Sequence, residues 1–442
     1  MVTRRKRRSA AVPEQPSGSL AIQMPPEKAE PASMGNVLMM VVPMLGSTGV
    51  MVFMAIQNGG NNNRSMLMGG GMLVAMLGMV GFNMYRQFSQ YRTRVVTQRR
   101  EYLSYLAETR DAVRKVAKKQ RAYYNWVYPD PNALVTLAAN GSRLWSREGG
   151  TYDLFAFRYG SGTQPLGLVF ERPPIDPMTE MDVVCLSAME RFIDVHDHTD
   201  NVGKFLFLGD FSHVELAGEG EAVYDEMRAI MMHLACFIDP SKLKIAVLCS
   251  ADRLGEWEWV KWMPQARSSI VRDAVGPARM ISTDPAELAE MIGTDIAMRG
   301  PFQYGDEIPA YPHLLLVCDG AEFPASSPFG SFTGVKGVTI LSRAREWTPM
   351  KSHTTLRLLI HPNPDRKGAD VVDVITMDSM PEQAFADRLS AVQAEAIARR
   401  MTPFATQQNL EEADTPVGRS DESRQMDLME LVGIGDIRDF DP

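Results

Sequence analysis

The sequence predicts an α/β protein, with two transmembrane helices and a long stalk helix before an α/β domain that has a mostly parallel sheet. Three observations lead to this fold. Two charge-poor stretches, Val37–Ile56 and Ser65–Tyr85, each match the ~30 Å hydrocarbon core of a bilayer. A long amphipathic segment without proline or glycine follows them. The remaining chain alternates short apolar runs with helical patterns, which is typical of a parallel sheet covered on both faces.

Residues 1–36 predict a disordered, basic cytoplasmic tail, because they are rich in proline, serine and charge. Residues 37–85 predict a transmembrane helical hairpin. Basic residues flank this hairpin on both sides, so the positive-inside rule predicts a multi-pass protein of the plasma membrane with both termini in the cytoplasm. Nucleic acid is the competing partner for the basic run Arg4–Arg8, but the adjacent apolar stretches favour the membrane interpretation.

Residues 86–127 predict a stalk helix that continues the second span. Apolar residues recur there at spacings of 3, 4 or 7. The narrow apolar stripe indicates packing on a partner helix, with a lone solvated helix as the alternative. The candidate partner contacts on this stripe are Tyr102, Leu106 and Val113.

The segment Tyr128–Pro131 ends the stalk, because proline cannot continue a helix and disfavours helical backbone in the residue before it. Residues 128–404 then predict one large α/β domain. Residues 405–442 are polar and acidic and predict a linker. The predicted strands are Asp153–Tyr159, Lys204–Leu208, Lys244–Cys249, His313–Cys318, Val338–Ser342 and Thr355–Ile360, and the predicted helices are Met181–Val195, Ala222–Phe237 and Ala384–Met401.

Two positions match parts of a nucleotide site. Gly209 follows the strand Lys204–Leu208, where a phosphate-binding loop would lie, but Asp210 would repel phosphate and no GK[ST] occurs in the chain. Asp319 ends an apolar strand as a Walker B carboxylate does, although Gly320 replaces the usual glutamate. A core strand ending in a turn acid is the alternative for Asp319. We therefore predict Gly209 and Asp319 as degenerate nucleotide-binding positions and expect no catalytic residue.

A tryptophan-rich segment contains three of the six tryptophans of the chain, Trp257, Trp259 and Trp262. We predict that they pack at an interface or against the stalk. No metal site is predicted, since a single HxH in a polar loop, His196–His198, is usually solvated. The four cysteines form no CxxC pair and indicate buried, reduced thiols.

An ordered set of motifs resembles EccC, the membrane-bound FtsK/SpoIIIE-type ATPase of the type VII (ESX) secretion system. These motifs are Arg100–Leu106 with Gln120, Pro129–Pro131, Arg143–Arg147, Asp153–Phe155 with Arg158 and Gly160, Trp257–Pro264, Asp273–Arg279 and Asp427–Ile434.

The resemblance implies that the chain is the N-terminal part of such a protein. Residues 128–404 would then be a degenerate P-loop-like (RecA-like) ATPase domain, and residues 405–442 would lead toward a further ATPase module absent from this chain. Mg-ATP is the cofactor expected for the missing modules, and none is expected here. The implied partners are the subunits EccB, EccD and EccE, secreted WXG100-type proteins reached through the missing modules, membrane lipids, and further copies of the chain in a hexamer.

Three functions fit the sequence. The first is a membrane anchor and coupling part of the secretion motor, for export of small helical proteins. The second is a nucleotide-binding or hydrolysing ATPase domain in its own right. The third is an FtsK-like DNA translocase. Residues 1–121 hold 18 basic and 6 acidic side chains, so the total net charge of −8 leaves −20 for residues 122–442. That charge argues against a surface that follows the DNA backbone, and nucleic acid is not an expected partner.

Overall fold

The computed structural model describes residues 12–29, isolated positions between 39 and 57, and residues 63–147, 152–304, 312–331, 333–344, 349–350, 352–366 and 368–413. The described α-helices are α1 (Asn63–Val127), α2 (Pro131–Asn140), α3 (Val183–His196), α4 (Glu221–Phe237), α5 (Leu254–Trp257), α6 (Pro285–Ile292), α7 (Thr294–Ala297) and α8 (Ala391–Ala413). The described strands are β1 (Gly18–Ala21), β2 (Ala156–Pro165), β3 (Leu168–Glu171), β4 (His198–Phe207), β5 (His213–Gly218), β6 (Leu243–Cys249), β7 (Arg267–Asp273), β8 (Gly276–Arg279), β9 (Ile281–Ser282), β10 (His313–Asp319), β11 (Val338–Arg343), β12 (Thr355–Pro362), β13 (Asp370–Ile375) and β14 (Glu382–Ala386).

The helix α1 runs for 65 residues without interruption. It contains the predicted second span Ser65–Tyr85 together with the strongly charged segment after it. Most of the predicted first span, Val37–Ile56, lies outside the described residues. Among the residues that are described, no helix is both long enough and apolar enough to cross a membrane. The predictions of two transmembrane helices and of a multi-pass membrane location are therefore wrong for this part of the chain.

The carboxyl-terminal half of α1 lies against the body of the protein. Tyr102, Leu106 and Val113 are buried in a cluster with α3 residues such as Met189 and Phe192. Residues 12–29 take part in the same layer, because β1 pairs in parallel with β3, whereas the sequence predicted disorder there. The apolar stripe of α1 is thus covered by α3 and the segment around β1, within the same chain.

The main sheet has ten strands in the order β4-β2-β14-β13-β12-β5-β11-β10-β6-β9. The strands from β12 to β9 are parallel to their neighbours. The pairings from β12 through β13, β14 and β2 to β4 are antiparallel. The sheet is therefore mixed, and the prediction of a mostly parallel sheet was wrong for its second half, where hairpin-like pairings replace helical crossovers.

The parallel half holds the apolar core of the domain. All seven residues of β10 are buried, and its side chains alternate between two apolar clusters on opposite faces of the sheet. The helix α4 covers one face, with 14 of its 17 residues buried. This arrangement places the carboxyl ends of β5, β11, β10 and β6 along one edge, where ligands bind in open α/β sheets.

Candidate functional site

Gly209 lies at the amino ends of the parallel strands, away from the edge where a nucleotide would bind. The hydroxyl of Thr339, near the start of β11, donates to the carbonyl oxygens of Leu208 (3.1 Å) and Phe211 (2.8 Å). Asp319 is the last residue of β10. Because β10 has seven residues, its two ends are about 20 Å apart. The structure therefore does not bring the two predicted nucleotide-binding positions together.

The position of a phosphate-binding loop is instead taken by the connection from β5 to α4. Only Glu219 and Gly220 separate the strand from the helix. A GxxxxGK[ST] loop needs several more residues to wrap a phosphate. The first residue of α4 is Glu221, whose carboxylate already places negative charge at the positive end of the helix dipole. This connection is too short and too acidic to hold a phosphate in the manner of a P-loop.

The carboxylate of Asp319 is enclosed by side chains of the same edge. Trp257 donates its indole N–H to Asp319 Oδ2 at 3.0 Å, and the hydroxyl of Tyr224 lies 3.5 Å from Asp319 Oδ1. Arg343 donates to that hydroxyl at 2.9 Å. Arg253 packs over the Tyr224 ring, 5.7 Å from its centroid. Burial, with the Asp319 charge adding to it, raises the pKa of Tyr224, so the phenol stays neutral. Protein groups thus occupy the surroundings of Asp319 that a metal-bound nucleotide would need.

The predicted tryptophan contacts lie inside the chain. Trp257 and Trp259 are buried, and Trp262 packs against the main apolar cluster. Arg399 of α8 lies 4.7 Å from the Trp262 ring centroid, and Thr402 donates to the Trp262 carbonyl at 2.7 Å. Other parts of the same chain cover both these tryptophans and the α1 stripe. Contact of either group with a partner protein stays a prediction.

The carboxyl end of α1 is held by three arginines. The last carbonyl groups of a helix have no partner within it. Here Arg143 donates to Trp126 O, Arg147 donates to Val127 O at 3.2 Å, and Arg158 donates to Tyr128 O, just after the helix, at 2.9 Å. Their positive charge also faces the negative end of the helix dipole. We call Arg143, Arg147 and Arg158 the arginine clamp.

Aromatic packing surrounds the arginine clamp. Arg143 lies 3.8 Å from the centroid of the Trp126 ring, and Arg147 lies 5.4 Å from that of Tyr128. Burial lowers the pKa of Arg143 to about 10, so the side chain remains charged at neutral pH. Burial, together with the three positive charges, lowers the pKa of His233 well below its ordinary range and keeps that imidazole neutral. The clamp, with Arg158 buried and Arg143 and Arg147 half-buried, therefore places positive charge around the end of α1.

Arg158 also forms a buried ion pair with Asp387, the residue that follows β14. Its Nε and Nη2 atoms donate to the two carboxylate oxygens at 2.7 and 2.9 Å. The Asp387 N–H donates to Glu226 Oε2 of α4 at 2.7 Å. Burial and the adjacent Asp387 carboxylate raise the pKa of Glu226 well above its ordinary range, which favours the protonated, neutral form of this acid. The described residues contain no group of three or more acidic, histidine or cysteine side chains placed for a metal ion.

Sequence reasoning missed the central strand β5 and the role of the clamp. Glu215 interrupts the apolar pattern of β5, and its charge is balanced by Arg357, its register partner on β12, at 2.6 and 2.9 Å. The available signal was a glycine pair, Gly218 and Gly220, between a short strand-like segment and a helix. The clamp residues lie in two of the motifs singled out in the sequence, but nothing local shows that these motifs meet at one helix end.

The relatives found by comparison with known proteins are EccC proteins of ESX secretion systems. The ESX secretion system protein EccC of Thermomonospora curvata is 30% identical over 450 residues, covering 100% of this chain and 33% of the relative. The ESX-3 protein EccC3 of Mycobacterium tuberculosis is 29% identical over 348 residues, which cover 76% of this chain and 25% of the relative. The chain thus spans about a third or less of the length of these relatives. No protein-family model matches it.

Solved structures give a weaker likeness. A Thermomonospora curvata EccC structure with ATPases 2 and 3 and a signal sequence peptide matches with a TM-score of 0.28 at 14% identity, covering 47% of this chain and 45% of that one. ATPases 2 and 3 of EssC from Geobacillus thermodenitrificans match with a TM-score of 0.30 at 11% identity, covering 63% of this chain and 53% of that one. At these TM-scores the likeness carries no conclusion about the fold.

Proposed function

The chain belongs to the EccC family of ESX secretion systems, and we propose that it is a non-hydrolysing coupling part of a type VII secretion motor. In this role it links ATPase modules to other subunits of the secretion complex during export of small helical proteins. The proposal covers only a part of an EccC-like protein, because the chain spans about a third of the length of its relative from Thermomonospora curvata. EccB, EccD and EccE are the proposed contacts within the complex, and WXG100-type proteins are the proposed cargo.

The enclosure of Asp319 carries the proposal. This carboxylate is buried and hydrogen-bonded by Trp257, and arginines pack around the adjacent Tyr224 ring. A nucleotide at this edge would have to displace these side chains, and the short, acidic β5–α4 connection offers no phosphate cradle in return. An independent ATPase role is therefore the less supported alternative. The net charge of −20 in residues 122–442 disfavours DNA translocation.

Thermal unfolding of the purified chain with Mg-ATP, Mg-ADP and no nucleotide tests the proposal. A ligand that binds only the folded state must raise the unfolding temperature. We expect the same temperature in all three samples, and no phosphate release. The matched variant Asp319→Asn, which keeps an acceptor for Trp257, should behave identically. A saturable rise in unfolding temperature, or hydrolysis that Asp319→Asn abolishes, would overturn the proposal.

A further inference from the structure

The segment that enters the α/β domain and the segment that leaves it lie against each other. The entering segment is α2, which follows α1 after three residues, and the leaving segment is α8. Gln393 of α8 donates to Asn132 of α2 at 2.9 Å, and Arg400 of α8 donates to the carbonyl of Val135 at 3.4 Å. These contacts place the two ends of the domain side by side.

The carboxyl end of α2 approaches α8 closely. Gly141 adopts φ +69°, which glycine tolerates, and a Cβ atom there would lie 2.5 Å from the ring of Phe404. On the inner side of α8, residues such as Ala394, Ala398 and Met401 are fully buried. The sulfur of Met401 lies 4.0 Å from that of Cys236 in α4. The helix α8 is therefore seated on α2 and α4 together.

Arg158 joins the entering and leaving segments directly. It donates to Tyr128 O beside the end of α1, and its guanidinium lies 3.8 Å from the Asp130 carboxylate, the N-cap of α2. The same guanidinium holds Asp387, four residues before α8, through two hydrogen bonds. Burial is the largest single effect and opposes the charge of Arg158, but the Asp387 carboxylate and the other nearby acids together raise the pKa of the guanidinium. Both partners are almost fully buried, so separating them would leave an unpaired buried charge.

The helix α4 also holds residues 387–389, which we call the lead-in to α8. Glu226 accepts from the Asp387 N–H, and Arg228, which is fully buried, donates to the carbonyl of Leu389 at 3.3 Å. The lead-in is thus held by Arg158 from the sheet and by two residues of α4. Through Arg158, the residues just before α8 are therefore connected by direct hydrogen bonds to the end of α1.

We propose that the Arg158–Asp387 ion pair locks α8 to the end of α1, so that a reorientation of α8 is passed to α1 through α2 and the arginine clamp. The inference rests on the proposed coupling function and names its mechanical joint. The parallel half of the sheet acts as the rigid support of this joint. Arg158 and Asp387 are positioning residues in this account.

Distance measurements between two spin labels test the lock on the full chain. Labels are attached at Lys118→Cys on α1 and Val392→Cys on α8, both of which are exposed positions. The four native cysteines are buried, so labelling is selective. With the lock intact we expect one narrow distance distribution. Arg158→Lys cannot keep the two parallel hydrogen bonds, and we expect it to add a second population or a clear broadening.

Two further variants separate the lock from general destabilisation. Asp387→Asn removes one charge but keeps the side-chain shape, and should also broaden the distribution. Arg357→Lys weakens a comparable ion pair, between the buried Arg357 and the half-buried Glu215, that does not connect α1 to α8. It should leave the distribution narrow. A narrow distribution in both lock variants, or equal broadening in Arg357→Lys, would overturn the inference. Nucleotide binding would overturn the proposed function without changing these distances.

Discussion

Buried charges at single positions decide what this domain can do. The Asp319 carboxylate ends β10, where the sequence predicted a Walker B-like residue, and Trp257 of the same chain donates a hydrogen bond to it. Glu226 is a buried acid whose pKa is raised well above its ordinary range, so it serves as a neutral acceptor for the Asp387 backbone. Arg158 keeps its charge because it is paired with Asp387. These buried side chains are all paired within the protein, which favours a fixed structure over the binding and release of a ligand.

The variant Glu226→Gln tests the neutral state of this acid. Folding retains the proton on Glu226 above about pH 4.3, the ordinary pKa at which the unfolded chain releases it. The folded state then binds more protons, so this residue makes the free energy of unfolding fall as pH rises toward its raised pKa. Glutamine keeps an oxygen that accepts from the Asp387 N–H, but it does not titrate, so it removes this fall in the free energy of unfolding.

Urea unfolding at pH 4.5 and pH 7.5 measures the effect of Glu226→Gln. We expect equal stability of variant and parent near pH 4.5, and a more stable variant at pH 7.5. The buried histidines also make stability depend on pH, but both proteins contain them, so their effect cancels when the two stabilities are compared. A variant that is less stable than the parent at pH 7.5 would show that Glu226 is ionised in the folded protein.

The helix α1 depends on the arginine clamp at its carboxyl end. Residues 86–121 of α1 are rich in charge and mostly exposed, while the last turn of the helix lies among half-buried guanidinium groups and aromatic rings. The contacts of Tyr124 and Tyr128 with Phe205 of β4 fix the same turn, with the Tyr128 and Phe205 ring centroids 4.2 Å apart. The end of α1 is therefore held both by the arginine clamp and by aromatic contacts with β4.

The variant Arg147→Met should loosen that end. It removes donors to Val127 O and Ala156 O and keeps an apolar side chain in the seat. Losing hydrogen bonds from a charged donor costs about 2 kcal/mol of stability. Hydrogen exchange should become faster over residues 120–128. Lys118→Met, on an exposed position of α1, is the control and should leave exchange unchanged. Equal protection in both variants would remove the clamp from the account.

Most elements with continuous apolar patterns could be predicted from sequence. The helix α4 and the strands β6, β10, β11 and β12 lie within a few residues of their predicted bounds. Residues 384–390 were predicted as helix, but Glu382–Ala386 form β14 because β13 and β2 offer it hydrogen-bond partners. The strand β5 was missed because Glu215 becomes tolerable only through Arg357, 142 residues away. Tertiary pairing, which no local pattern contains, decided both cases.

Across the whole molecule, the fold is a ten-stranded sheet whose entering and leaving segments, α2 and α8, lie against each other. The motifs at residues 129–131, 143–147 and 158 are separate in sequence, and they meet at the end of α1. In the sequence these motifs indicated a family resemblance. Only the three-dimensional structure shows that they lie together at the end of α1. The candidate nucleotide positions Gly209 and Asp319, by contrast, fall at opposite ends of the parallel strands. The molecule therefore fits a role in transmitting motion better than one in consuming ATP.

Export measured in cells that depend on this chain tests that central claim most directly. The amount of WXG100-type protein in the medium is compared for the parent, Asp319→Asn and Arg158→Lys, with the level of each variant in the cell as the control. We expect export at the parental level for Asp319→Asn and a clear loss for Arg158→Lys at equal protein level. Loss of export in Asp319→Asn together with normal export in Arg158→Lys would contradict the account.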